Sequence, residues 1–387
     1  MPIGKRKNDL YGLAMPLLGK PCKWKDVQGG SLEENKQLAS LMKKRHAVGA
    51  AVQCFEKGRL TTCFTAGNAS LSPATPVSET TVFRTASIAK TITALLVFRL
   101  QTLHKLDVRE DISDFLGFRV SNPYCPGAPI TLAMLMNHSS SIIDSEAYFA
   151  SFHRPRHLKR LLSDPGAFLA AIPGSQFKYS NFAAGLIGSM LESRFSTSFE
   201  SLVQEHFSPL NIHVTFDPTT LAPGTIADSW RVLPPRFEFS GEGRRETSTP
   251  LLLPDPDSHY LLSSGNAYLT AADLAKLTLL AFNGGDGFLS EECLSLLKTP
   301  AHRWPEKEIN MSHGMGLFRL EDASVCSRPL FGHQGFAYGA VNGLFFDEAG
   351  NGFASLNSGV SEQRIGHLAL INRDLIRFFW KGDAFRG

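Results

Sequence analysis

Strand-forming sequence lies at both ends of this chain, and the long stretch between has little of it. Near the start, "AVGAAVQCFEKGRLTTCFTAG" holds two β-rich runs around Glu56-Lys57-Gly58-Arg59, residues suited to a tight hairpin. Near the end, "GMGLFRL", "PLFGHQG" and "AYGAVNGLFFDEAGNGFASLNSG" predict three or four further strands, with a turn at residues 348–352. From 106 to about 254, helical patches alternate with loops such as "SNPYCPGAPI" and "RVLPPRFEFSGEGRRE". Strands this far apart in the chain share one core most simply by joining one sheet. The order therefore predicts an α+β fold: an antiparallel sheet built from both chain ends, flanked by helices, with a mostly helical inserted domain. The expected division is residues 30–105 plus 255–387 for the sheet domain, 106–254 for the helical domain, and 1–29 for an N-terminal extension.

Helix signals frame the strands. Ser31 and Glu34 form a capping-box pair ahead of "NKQLASLMKKRHA". "FRTASIAKTITALL" predicts a helix that opens at Ser87 and runs to about 103. "NAYLTAADLAKLTLLAF" has helical apolar spacing with Thr270 as its cap, and "SEQRIGHLALINRDLIRFFWK" predicts a closing helix.

Composition excludes several classes of function. The 387 residues are 43% apolar and 19% charged, which marks a globular rather than a disordered chain. The net charge of +3 is too small to attract nucleic acid, and the basic run at 153–160 lacks interleaved aromatic residues for base stacking. No apolar run reaches the length of a membrane span. The apolar patch near the N-terminus is broken by Gly12, Pro16 and Gly19, so it reads as non-signal sequence. The cysteines (Cys22, Cys54, Cys63, Cys125, Cys293 and Cys326) are scattered, as befits free thiols in a reducing compartment, and the expected location is cytoplasmic. Cys54 and Cys63 flank the hairpin, and one disulfide between them is left open.

Three constellations carry chemistry. Ser87 and Lys90 stand at i and i+3, neighbours on a helix. A serine hydroxyl is a poor nucleophile at neutral pH, whereas a desolvated lysine has a lowered pKa and can take its proton. Ser87 also opens the helix, where free backbone N–H groups can stabilise an oxyanion. The second constellation is Tyr179-Ser180-Asn181: a tyrosine whose phenolate a lysine can stabilise, and an amide that can face both substrate and ammonium. The third is His333-Gln334-Gly335 on an expected strand, where Gly335 admits a substrate backbone and the Phe336 N–H can serve as a second oxyanion donor. His333 is expected to hold a proton or to hydrogen-bond near Tyr179.

Taken together and in this order, the three elements resemble the serine β-lactamase and penicillin-binding-protein superfamily, whose signature opens on Ser-x-x-Lys. The likeness runs from about 47 to 379 and leans toward class C β-lactamases, D,D-carboxypeptidases, D-aminopeptidases and related esterases. "ITLAMLMNHSSSI" resembles the family run "ITIRHLLTHTSG", and "SSGNAYLTAADLAKL" resembles "GGLYSTAEDLARF". The resemblance implies that Ser87 becomes acylated, that Lys90 and Tyr179 share the proton work, and that Asn181 orients the substrate. It places His333 and Gly335 on the opposite wall and makes an oxyanion hole from the N–H groups of Ser87 and Phe336. It implies no cofactor and a packing role for His138. His153 and His157 are spaced as some metal pairs are, but the basic residues and proline between them argue against a cation, and no metal is expected.

One departure matters. The family's Lys-Thr-Gly is here His333-Gln334-Gly335, so the ammonium that would bind a substrate carboxylate is missing. The expected partner is a small molecule or peptide. The expected activity is a serine hydrolase for an amide or ester, with D-peptidase or D-amidase ahead of esterase, and both ahead of β-lactamase. The alternatives are a penicillin-binding sensor that acylates without turnover and an inactive scaffold. Oligomeric state has no sequence signal.

Overall fold

The computed structural model describes residue 14 and residues 27–152, 156–233, 236–240, 251–305 and 308–381. Most of the expected N-terminal extension, Cys22 and His153 lie outside the described residues.

The first helix, α1 (Leu32–Lys44), starts at a full capping box: Ser31 Oγ accepts from the Glu34 N–H, and the Glu34 carboxylate accepts from the Ser31 N–H. Strands β1 (Gly49–Glu56) and β2 (Arg59–Leu71) follow as the expected hairpin, with Glu56 opposite Arg59. Lys57 and Gly58 between them both have positive φ, at 50° and 77°, as a two-residue hairpin turn requires. Short strands β3 (Ala74–Pro76) and β4 (Phe83–Arg84) lead into a 3₁₀ turn, Ala86–Ile88, and helix α2 (Ala89–Thr102).

The middle of the chain is mostly helical. Four five-residue helices precede α3 (Asn181–Phe195) and α4 (Phe199–Phe207). β5 (Val214–Thr215) comes next, and then a four-residue hairpin pairs Trp230–Leu233 with Arg236–Phe239. That hairpin corrects the reading of this proline-rich stretch as loop alone. β6 (Tyr268–Leu269), α5 (Ala271–Asn283, capped by Thr270) and α6 (Glu291–Lys298) complete the region.

The C-terminal part returns to strands: β7 (Pro300–Arg303), β8 (Met311–Gly314), β9 (Phe318–Leu320), β10 (Leu330–Ala337), β11 (Ala340–Phe346) and β12 (Gly352–Gly359). They join the N-terminal strands in one nine-stranded antiparallel sheet, ordered β3-β2-β1-β12-β11-β10-β9-β8-β7. The seam between chain ends is the β1–β12 pair, in which Val52 faces Ser355. Helix α7 (Leu370–Lys381) closes the described chain. It begins nine residues later than the sequence suggests. Gly366, with φ at 54°, turns the preceding segment into a small ladder of Arg364–Ile365 with Leu368–Ala369.

Strand alternation divides the interior into two cores. On β1, Ala51 and Phe55 face one core while Ala50, Val52 and Cys54 face the other. On β11, Leu344 and Phe346 part from Val341 and Phe345 in the same way. The first core takes in α2, α3 and α5, and the second takes in α1 and α7, tied together by an Arg45–Asp374 ion pair at 2.5 Å. The central strands are therefore covered on both faces, which accounts for their near-continuous apolar sequence. Among the described residues Cys54, Cys63, Cys125 and Cys293 are free thiols. Gln53, not Cys54, stands opposite Cys63, so the two sulfurs lie on opposite faces of the hairpin and the open question of a disulfide closes.

Helix α2 is buried on almost every side, with Leu95, Leu96, Val97 and Phe98 at zero exposure. We expect Leu96→Ala to destabilise the protein by about 2–5 kcal/mol, measured by denaturant unfolding, since the tightly packed surroundings cannot collapse into the space.

Candidate active site

The site forms where the 3₁₀ turn ahead of α2, the start of α3 and strand β10 meet. Ser87 lies in that turn, directly after Ala86, a buried residue whose φ of 52° is left-handed. This strained step lets the chain turn sharply and leaves the Ser87 side chain partly open to the cleft. Its N–H comes before the intrahelical bonds begin and is free to point at a ligand.

Lys90 is one turn further on and only 6% exposed. Its Nζ lies 3.2 Å from Ser87 Oγ, 2.9 Å from Asn181 Oδ1 and 2.6 Å from the Ser264 carbonyl. Burial draws its pKa down from 10.5 to about 7, against the opposing pull of the Asp144 carboxylate. The geometry of the neutral form follows. Two of its three neighbours are carbonyl oxygens that only accept, and a neutral amine has two N–H donors and one lone pair. With both donors engaged on the carbonyls, the lone pair faces the Ser87 hydroxyl, the one neighbour able to give a proton.

Tyr179 closes the group. Its hydroxyl is within hydrogen-bonding reach of Ser87, and Lys90 Nζ sits 5.1 Å from its ring centroid. Burial pushes the phenol's pKa well above its ordinary value, only partly offset by the Ser87 hydrogen bond. Tyr179 is thus a neutral hydroxyl at physiological pH, not the phenolate expected from sequence. Its ring is braced by His138 (centroids 4.3 Å apart) and by Trp304 (5.7 Å, stacked). His138 accepts from the Ser180 N–H through Nδ1 at 3.3 Å and is buried.

The third element differs from expectation at two side chains. His333 is fully buried; its Nδ1 lies 2.9 Å from the Gln334 carbonyl, and its ring stacks on Phe318. Burial, with His313 and Lys90 nearby, keeps its pKa well below the usual histidine value, so it holds no extra proton. Gln334 points away from the cleft. Its Nε2 donates to the His367 carbonyl, and its Oε1 accepts from the Ala369 N–H and Asn372 Nδ2, which anchors β10 to the segment ahead of α7 and to the first turn of α7 itself. Among the described residues no group of three His, Cys, Asp or Glu side chains is placed to hold a metal.

Gly335 packs against the turn that carries Ser87. A Cβ there would stand 2.2 Å from the Thr85 carbonyl oxygen and 3.1 Å from the Ser87 nitrogen. The bare Cα lets β10 press directly against the Ser87 turn. Phe336 follows, opposite Val341. Val341 gives its N–H and its carbonyl to the Asn357 side chain, at 3.2 and 2.6 Å. Phe336 and Val341 are therefore a non-hydrogen-bonded pair, and the Phe336 N–H turns away from β11.

Two contributors were not read from the sequence. The Ser264 carbonyl is a backbone group, so no residue type signals it. Asp144 takes Ser180 Oγ and the Phe182 N–H on Oδ1, at 2.9 Å each, and Asn181 Nδ2 on Oδ2 at 3.0 Å. In the sequence it stands just before a Ser-Glu pair and reads as an ordinary residue at a helix start.

Comparison with known proteins places this geometry in a family setting. The profile of the family described as Beta-lactamase matches residues 35–375. Among solved structures, the octameric penicillin-binding protein homologue from Pyrococcus abyssi superposes with a TM-score of 0.73 at 18% identity, over 92% of this chain and 78% of that one. EstCE1, a hydrolase with promiscuous acyltransferase activity, gives 0.72 at 21% identity, over 89% and 100%. The D-amino acid amidase from Ochrobactrum anthropi SV3 gives 0.68 at 18%, over 90% and 98%. At these identities the likeness is one of fold.

Gly335→Ala is expected to displace the Ser87 turn and lower kcat by roughly 10²-fold or more, the loss typical of one misplaced oxyanion donor. Steady-state kinetics beside an unchanged far-UV circular dichroism spectrum would check it.

Proposed function

The chain belongs to the Beta-lactamase family, and from that premise we propose that it is a serine acyl-transfer hydrolase that carries the acyl group on Ser87. The observation that carries this reading is the Lys90 amine, buried, half-titrated near pH 7 and left with only the Ser87 hydroxyl as a proton source. Lys90 takes the hydroxyl proton as Ser87 Oγ attacks the substrate carbonyl. The N–H groups of Ser87 and Phe336 receive the negative charge on the carbonyl oxygen. As the carbonyl re-forms, the bond to the leaving group breaks. The proton passes from Lys90 through the Tyr179 hydroxyl to the leaving nitrogen or oxygen, which departs neutral. In the second half a water gives a proton back along the same path and attacks the ester. The acid is released and the Ser87 hydroxyl is restored.

The substrate we infer is an amide or ester without a carboxylate near the scissile bond. His333 is uncharged, Gln334 faces the other way, and no ammonium stands where family members with Lys-Thr-Gly hold one. The fold likeness to a hydrolase with promiscuous acyltransferase activity and to a D-amino acid amidase supports an acyl-transfer reading that includes amides. A D-amino-acid amide or peptide is the first choice and a small ester the second.

Intact-mass spectrometry after incubation with short-chain p-nitrophenyl esters, D-amino-acid amides and β-lactams is the direct test. Wild type is expected to show a one-acyl adduct and steady turnover with an ester or amide, and Ser87→Ala neither; turnover by Ser87→Ala equal to wild type would refute the assignment. The rate should also follow the lysine. Below about pH 7 Lys90 is protonated and cannot take the serine proton, so kcat/KM should rise with pH through about 7 and then level off. Finally, methylating the carboxylate of a penicillin should change its acylation rate by less than about threefold, because an anchoring ion pair would instead be worth roughly 10- to 100-fold.

A further inference from the structure

Asp144 touches neither Ser87 nor Lys90 directly, yet it decides how Lys90 is held. Its carboxylate sits at the start of α3, where the helix dipole and the Phe182 N–H favour an anion. Ser180, the N-cap of that helix, gives its hydroxyl proton to Oδ1 and accepts the Ala183 N–H. Oδ2 is left for Asn181 Nδ2, and the other end of the same amide, Oδ1, meets Lys90 Nζ at 2.9 Å.

An amide is nearly symmetric in shape, and what selects its orientation is the polarity of its neighbours. An ionised carboxylate only accepts, so the Asn181 NH₂ must face Asp144. The carbonyl must then face the lysine. We propose that Asp144 is a positioning residue for the acyl-transfer reaction: it fixes the Asn181 amide so that a carbonyl, not an NH₂, meets Lys90, and thereby aims the lysine at Ser87. This inference rests on the acyl-transfer reading given above.

Replacing Asp144 by Asn preserves shape and keeps an oxygen for the Ser180 hydroxyl and the Phe182 N–H. It then turns an NH₂ toward Asn181. The Asn181 amide is driven to invert, and its own NH₂ faces Lys90, which loses an acceptor. The removed negative charge acts in the same direction on the lysine. The other titratable groups facing Lys90 are His138 on the loop ahead of Asp144, His313 on β8, His333 on β10 and Tyr179 ahead of α3. Burial keeps all of these uncharged at neutral pH. Asp144 is the one group among the described residues whose charge bears on Lys90, and it favours the ammonium. Without it, Lys90 gives up its proton at lower pH.

Three readouts test this. In Asp144→Asn, kcat/KM for the best ester or amide should fall by about 10- to 100-fold, the range for losing one hydrogen bond to a charged partner. Over the same pH range, the rising limb of the rate profile should move toward acid. In a double-mutant cycle, Asp144→Asn should add nothing to Asn181→Ala, since it acts through that side chain. NMR titration of ¹³C-lysine-labelled protein follows Lys90 without any substrate, with Lys90→Met assigning the signal. A Lys90 titration shifted to lower pH in Asp144→Asn supports the inference even if no substrate has been found, so its fate is separate from that of the acyl-transfer reading. An unmoved Lys90 titration, or losses that multiply in the double variant, would overturn it. A drop in melting temperature alone, with the pH limb unmoved, would reduce Asp144 to a helix-capping role and overturn it as well.

Discussion

The structure turns on one buried amine. Placing Lys90 in the interior is unfavourable unless every hydrogen-bonding position of its head is met, and three separate parts of the chain meet them. The Ser87 turn comes from the first third, Asn181 from the inserted helical region, and the Ser264 carbonyl from the segment that returns to the sheet. Each of these parts is held in turn by others. Thr93 Oγ1 donates to the Ser263 carbonyl, and Ser263 Oγ donates to the carbonyls of Ala184 and Gly185 on α3. The lysine is thus the point at which the helical region and the sheet are brought to one register.

Around that point the fold is a consequence of alternation. Residues one apart on β1, β11 and β12 enter different cores, so a nine-stranded sheet carries helices on both faces. The face with α2, α3 and α5 carries the Ser87 turn and Lys90, while Tyr179 and Phe336 pack against the other core. The other face, with α1 and α7, is joined to it through Gln334, whose side chain crosses to the segment ahead of α7 while its neighbours His333 and Gly335 serve the cleft. A strand that reverses side with each residue makes this division possible.

Much of this was legible in the sequence because it rests on local patterns. The capping box at Ser31, the hairpin at Lys57-Gly58 and the cap at Thr270 each involve residues within a few positions of one another. Ser87, Lys90, Tyr179 and Asn181 were legible because their side-chain chemistry is unusual for its setting. What escaped depends on distant neighbours. The ionisation of Tyr179 and His333 is set by how deeply they are buried, and no local run of residues carries that information. That Gly335 packs against the Thr85–Ser87 backbone was not legible either, because those residues lie about 250 positions away. Asp144 went unnoticed since its partners Ser180, Asn181 and Phe182 lie more than thirty positions away. The late start of α7 came from Gly366 and from the grip of Gln334, a contact between residues far apart in the chain.

The close seating of Gly335 on the Ser87 turn carries one more implication. The two amide groups that would receive an oxyanion belong to different layers, one on the Ser87 turn and one on a strand, and the bare Gly335 Cα lies against that turn. The gap is therefore a seam, and its width reports how the layers sit on each other. A slip of a few tenths of an ångström between helix and strand would spoil it while leaving both intact. Mild heat or denaturant should accordingly silence such a molecule before its secondary structure begins to melt.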